Sequence, residues 1–216
     1  MADAPAHARL DGALRALPLI AILRGIEPGE AEAVAVALYA EGFRLIEIPL
    51  GSPDAFASIA RVRQALPADA VVGAGTVLHA RDVAQLATAG AELIVMPHAD
   101  VTVIGAAKAA GFACMPGVAT PTEAFAALAA GADALKLFPA ELISPAAVKA
   151  LRAVLPRAVR LFPVGGITPD KMAEYVSAGA NGFGLGSALY AAGASAAQVT
   201  ERARRFAVAW RAIAAG

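Results

Sequence analysis

An α/β fold made of eight strand–helix units is predicted from three features of the sequence. Glycine recurs after alanine-rich helical stretches, a short β-prone run follows each such glycine, and proline closes several of those runs. A left-handed residue that ends a helix is most often glycine, and proline ends a strand because it cannot donate to the ladder. The repeat interval, about 20 to 25 residues, fits a βα unit in series better than a solenoid of helices.

In chain order, an extra helix is expected near Ala8-Leu17, followed by strand Leu19-Leu23 and helix Pro28-Glu41. Gly42 caps that helix and opens strand Leu45-Ile48, ended by Pro49, with helix Pro53-Leu66 behind it. Strand Val71-Gly75 and helix Ala80-Ala89 lead to Gly90, then to strand Leu93-Met96 and helix Asp100-Ala110. Gly111 precedes strand Phe112-Met115 and helix Pro121-Ala130, and Gly131 precedes strand Leu135-Leu137 and helix Pro145-Leu155. The last two strands are Arg160-Val164 and Gly182-Leu185, with helices Pro169-Ala178, capped by Gly179, and Gln198-Ala214. Proline recurs at helix starts because its fixed φ suits the first turn and its missing N–H is not needed there.

Short apolar strands separated by helices imply a parallel sheet covered by those helices. Eight such units without a long polar insert predict one domain over residues 1–216, a closed (β/α)8 TIM barrel with an additional N-terminal helix. The competing architecture is an open doubly wound sheet. It would ordinarily carry a glycine-rich phosphate fingerprint after its first strand, where this chain reads Leu23-Arg24-Gly25-Ile26. In a barrel the chemistry belongs at the C-terminal ends of the strands.

Composition narrows the function. Of 216 residues, 58% are apolar and 17% charged, which describes a packed globule. Eighteen basic and 18 acidic residues leave no net charge, so no nucleic-acid partner is expected. The one cysteine, Cys114, excludes an intrachain disulfide and a multi-thiolate metal site and fits a reducing, cytoplasmic compartment. The uncharged run from Tyr175 to Thr200 contains five glycines and several polar residues, and the N-terminal stretch carries Asp3, Arg9 and Asp11. Neither a membrane span nor a signal peptide is expected.

Two charges are out of character. Lys136 lies inside the sixth strand, in Ala134-Leu135-Lys136-Leu137-Phe138-Pro139, and Glu47 closes the otherwise apolar second strand, Leu45-Ile46-Glu47-Ile48-Pro49. Burying an ammonium is costly unless it is paired or loses its proton, and a lysine so depressed is an amine nucleophile for carbonyl carbon. A nearby carboxyl group can move protons beside the resulting imine. The alternative is a structural lysine–carboxylate pair. Arg24, after the first strand, suits a substrate carboxylate or phosphate or else a rim ion pair. Thr76, at the end of the third strand, is either a substrate contact or a helix N-cap. Gly165-Gly166 after strand seven and Gly184-Leu185-Gly186-Ser187 after strand eight stand where barrels hold phosphate through backbone N–H groups, with tight turns as the alternative. His7, His79 and His98 are too scattered for a metal motif, and Cys114 reads as core. Asp133 and Glu141, flanking the lysine strand, are expected at solvent or in caps, with Tyr190 and Trp210 as packing residues.

The same stretches resemble a known family. Leu17-Pro18-Leu19-Ile20-Ala21-Ile22-Leu23-Arg24-Gly25, Ile46-Glu47-Ile48-Pro49-Leu50, Val72-Gly73-Ala74-Gly75-Thr76-Val77-Leu78, Ala134 to Pro139 and Val164-Gly165-Gly166-Ile167-Thr168-Pro169 together resemble the bacterial 2-keto-3-deoxy-6-phospho-sugar-acid aldolases. The likeness runs from Leu17 to Ala214. It implies a class I lyase with Lys136 as Schiff-base lysine, Glu47 as proton carrier, Arg24 and Thr76 at the substrate, and Gly165, Gly166, Gly186 and Ser187 at its phosphate. It also implies a homotrimer of barrels with no metal and no cofactor. Phosphogluconate-type members usually read Glu-Val-Thr-Leu-Arg-Thr at the second strand, whereas this chain reads Glu47-Ile48-Pro49-Leu50-Gly51-Ser52, closer to the phosphogalactonate branch. A phosphogluconate substrate, a phosphosugar isomerase or epimerase with Glu47 as base, and a ligand-binding barrel are the remaining readings.

Overall fold

Strand and helix alternate through residues 6–215, the part of the chain described by the computed structural model. The order is α1 (Ala6–Ala16), β1 (Leu19–Ile22), α2 (Pro28–Ala40), β2 (Leu45–Pro49), α3 (Ala55–Ala65) and β3 (Val71–Gly75). A 3-10 turn (Ala80–Asp82) leads into α4 (Val83–Thr88), then β4 (Leu93–Val95), α5 (Val101–Ala109), β5 (Ala113–Met115), β6 (Gly117–Val118) and α6 (Pro121–Ala129). The chain continues through β7 (Leu135–Leu137), α7 (Pro145–Val154), β8 (Leu161–Pro163), a 3-10 turn (Pro169–Lys171), α8 (Met172–Ser177), β9 (Phe183–Leu185) and α9 (Ala196–Ala215).

The five capping glycines behave as expected. Gly42, Gly90, Gly111, Gly131 and Gly179 all have positive φ. At the first, Gly42 N–H donates to Tyr39 O and Phe43 N–H to Leu38 O, the paired bonds of a Schellman motif, and the other four repeat the pattern. Pro28, Pro121 and Pro145 occupy first turns. Pro53 does not, because Asp54 takes a left-handed φ of 39° and α3 begins only at Ala55.

All strand pairs are parallel, but they form two sheets instead of one uninterrupted barrel. Six strands run in the order β5-β4-β3-β2-β1-β9, and three in the order β6-β7-β8. The expected fifth strand ends before Pro116, which has no N–H to give to a ladder, and a further short strand, β6, follows it. Hydrogen bonds nevertheless cross both seams. Asp133 N–H reaches Cys114 O at 3.0 Å and Lys136 N–H reaches Pro116 O at 2.9 Å. On the other side Asn181 N–H reaches Leu161 O at 2.9 Å, and Val164 bridges Gly184.

Period-two alternation divides the core. Leu19, Ala21, Ile46, Val72, Ile94, Cys114, Leu135 and Leu161 face the helices, while Ile20, Leu45, Val71, Leu93, Ala113, Ala134 and Phe162 face inward. Leu10, Ala13 and Leu14 of α1 join the inward set, so α1 packs against the inner faces of the strands. Ion pairs hold it there: Arg9 with Glu92, and Asp11 with Arg160 at 2.6 Å.

Candidate active site

The inward parity places the two unusual charges. Leu45 and Ala134 face inward, so Glu47 and Lys136, two residues further along their strands, share that face. In register, Glu47 lies opposite Ile22 and Gly73, and Lys136 lies between Gly117 and Phe162. Glu47 is 1% exposed and Lys136 4%. Room for the carboxylate comes from β3, where a β-carbon on Gly75 would stand 1.5 Å from Glu47 Oε2. That oxygen is buried and without a hydrogen-bond partner.

Burial dominates the chemistry of both groups. It pushes the Glu47 carboxyl up to about 7, against the opposing pull of the Lys136 and Arg24 charges. It lowers Lys136 from the ordinary ammonium range, with the Glu47 charge resisting and the Arg24 charge assisting. The Lys136 Nζ also lies 4.5 Å from the centroid of the Phe138 ring. An amine eased toward its neutral form therefore shares a buried site with a carboxyl group whose pKa is raised to about 7.

Arg24 follows β1 and donates from Nη2 to Thr76 Oγ1 at 3.3 Å. Thr76 is not the cap of the following 3-10 turn, because His79 is the residue that precedes it. Thr76 has φ 55°, a strained setting for a β-branched residue, which costs on the order of 1–3 kcal/mol and is typical of functional positions. The turn bearing Arg24 is fixed by Ser52, whose buried Oγ accepts from Gly25 N–H at 2.9 Å.

A cavity of about 150 Å³ is lined by Arg24, Lys136, Gly165, Gly166, Gly186 and Ser187. Six of the eight residues expected at the site thus share one wall. Thr76 reaches it through Arg24, and Glu47 acts on it through the charges of Lys136 and Arg24. Gly165 (φ 117°) and Gly166 (φ 61°) hold left-handed conformations at the loop after β8. Such loops turn backbone N–H groups toward a bound anion.

Three further residues belong here. Phe138 lines the cavity beside the lysine, Ser52 holds the Arg24 turn, and Glu141, expected only at solvent or in a cap, is exposed yet lines the cavity too. Asp133 departs from expectation more fully. It pairs with Lys108 at 2.7 Å and, from the chain entering β7, accepts the N–H of Cys114 in β5 at 2.8 Å, which gives that buried strand amide a partner. Cys114 is core: it is fully buried, and burial pushes its thiol up to about 12. Tyr190 is buried and Trp210 packs edge-on to Phe183, both as expected. Among the described residues no three His, Cys, Asp or Glu side chains gather as a metal site would require. Nor, among them, is any helix long and apolar enough to cross a membrane.

A family model described as KDPG and KHG aldolase matches residues 10–205. A protein of Rhizobium meliloti (strain 1021), a probable 2-dehydro-3-deoxy-6-phosphogalactonate aldolase, is 48% identical over 199 residues, covering 92% of this chain and 94% of its own. The 2-dehydro-3-deoxy-6-phosphogalactonate aldolase of Escherichia coli (strain K12) is 48% identical over 195 residues, covering 90% and 95%. A solved structure described as native KDPGal superposes with a TM-score of 0.91 at 47% identity, covering 93% of this chain and 97% of that one.

Proposed function

Because the chain belongs to the KDPG and KHG aldolase family, we propose that it cleaves 2-dehydro-3-deoxy-6-phosphogalactonate to pyruvate and D-glyceraldehyde 3-phosphate, with Lys136 as nucleophile and Glu47 as proton carrier. It is an aldolase-class carbon–carbon lyase. The observation that carries the residue assignment is the buried Lys136–Glu47 pair beside a cavity lined by Arg24 and the Gly165-Gly166 loop.

The reaction follows from those groups. Neutral Lys136 adds through Nζ to the C2 ketone, and loss of water from the carbinolamine gives an iminium. Glu47 takes the C4 hydroxyl proton, the C3–C4 bond breaks, and its electron pair neutralises the iminium as an enamine while glyceraldehyde 3-phosphate departs. Glu47 then returns a proton to C3, and water releases pyruvate from the lysine. A carboxyl group with a pKa near 7 suits both directions, because it is neither too weak a base nor too weak an acid at working pH. Arg24 binds an anionic end of the substrate, and backbone N–H groups of Gly165, Gly166, Gly186 and Ser187 bind its phosphate. Holding both ends aligns the breaking bond with the iminium π system.

The bonds across the two seams support closure of the sheets into one (β/α)8 barrel, with the active site at the C-terminal ends of its strands. Exposed Leu78, Val101 and Phe125 lie on or beside the first 3-10 turn, α5 and α6, which pack together, and supply apolar surface for a homotrimer. The lone buried thiol fits a cytoplasmic setting.

The substrate assignment is tested by pyruvate release from the two C4 epimers, phosphogalactonate and phosphogluconate. A kcat/KM at least about tenfold higher for the galactonate, a difference of about 1.4 kcal/mol in transition-state binding, is expected. A preference for the gluconate overturns it.

A further inference from the structure

The Gly165-Gly166 loop has a carboxylate lying against it. A β-carbon on Gly165 would stand 2.1 Å from Glu141 Oε2, and one on Gly166 would stand 3.1 Å from Glu141 Cγ, so the side chain lies directly on the glycine backbone. Glu141 lines both the 150 Å³ cavity that holds Lys136 and a neighbouring cavity of about 300 Å³. It therefore forms part of the wall between them. Lys171 secures the same loop, donating from Nζ to Gly166 O at 3.1 Å. The loop is thus placed without help from a ligand, and the carboxylate sets a negative charge beside the groups assigned to a phosphate.

We infer that Glu141 limits the affinity of this loop for phosphate monoesters and so acts as a specificity-determining residue for the phosphorylated end of substrate and product. The inference rests on the phosphate reading of Gly165-Gly166 given above. Two like charges a few ångströms apart at a solvent-lined site repel, and the penalty falls on the dianionic phosphate end alone. A triose phosphate product held less tightly leaves the site more readily, and a substrate must be bound partly through its other contacts.

Glu141→Gln keeps the shape of the side chain and removes its charge. The probes are inorganic phosphate and glycerol 3-phosphate as competitive inhibitors of cleavage, measured in wild type and variant. Both inhibition constants are expected to fall about fivefold to tenfold in the variant, with the KM of the phosphorylated substrate falling in parallel. A melting temperature close to that of wild type reports a folded variant. Unchanged or higher inhibition constants in the variant overturn the inference, because a carboxylate that merely braced the loop would weaken binding when removed. Inhibition by neither probe in wild type or variant overturns the phosphate reading, and this inference falls with it.

Discussion

Truncating Lys136 removes the one lysine that, among the described residues, lines the site cavity, so Lys136→Ala is expected to lose about a thousandfold or more in turnover. Glu47→Gln should still form the pyruvate adduct yet cleave about 10² to 10⁴ times more slowly, the usual contribution of a positioned acid–base group. Single-turnover kinetics beside adduct yield separate the two roles. The same carboxyl group predicts a stability effect. Its pKa rises from 4.5 in the unfolded chain to about 7 when folded, so folding favours the protonated form. That contribution is complete below about pH 4.5 and is lost as pH rises through about 7. Thermal melts should therefore show Glu47→Gln gaining on wild type between pH 5 and pH 8, and an unchanged difference would contradict the burial argument. Lys136 and Glu47 were legible because each interrupts an apolar run. Ser52, Phe138 and Glu141 were not, because a serine, an aromatic or an acid after a strand is ordinary until the fold sets it against Gly25, Lys136 or Gly165.

Within the elements, β3 gives the sharpest test of how backbone makes room for chemistry. Gly75 stands opposite Pro49 in the ladder, and the Glu47 carboxylate occupies the space a β-carbon would need. Gly75→Ala should force Glu47 aside, lower kcat about a hundredfold and destabilise the fold by about 1–3 kcal/mol. Near-native kcat in a folded variant would show that Glu47 need not sit there. Helix ends and strand parity could be read from sequence because both are local: glycine ends the helices through its left-handed freedom, and period two sets the faces. The start of α3 and the extra strand β6 could not, since a left-handed Asp54 and the pairing of Gly117 and Val118 with β7 depend on neighbours distant in sequence.

At the scale of the whole molecule, the inward face is divided along the strands. One set of inward positions is apolar and covered by α1, and the positions two residues further on hold Glu47 and Lys136. Leu10 belongs to the apolar set, being 1% exposed in one cluster with Ile20, Leu45, Val71 and Phe162. Leu10→Ala should cost about 2–5 kcal/mol in chemical denaturation while leaving KM near the wild-type value, because the cavity opens away from the substrate. Barrel-like order was legible from eight repeated units, whereas the two-sheet pairing reflects how ladders meet at the seams, which repeats alone do not encode.

Imine formation at Lys136 is the claim on which the rest depends. Intact mass after incubation with pyruvate and borohydride, followed by peptide mapping, measures it directly. One reduced pyruvate adduct per chain, located on Lys136, is the predicted result. No adduct, or an adduct confined to Lys108, Lys149 or Lys171, would contradict the account.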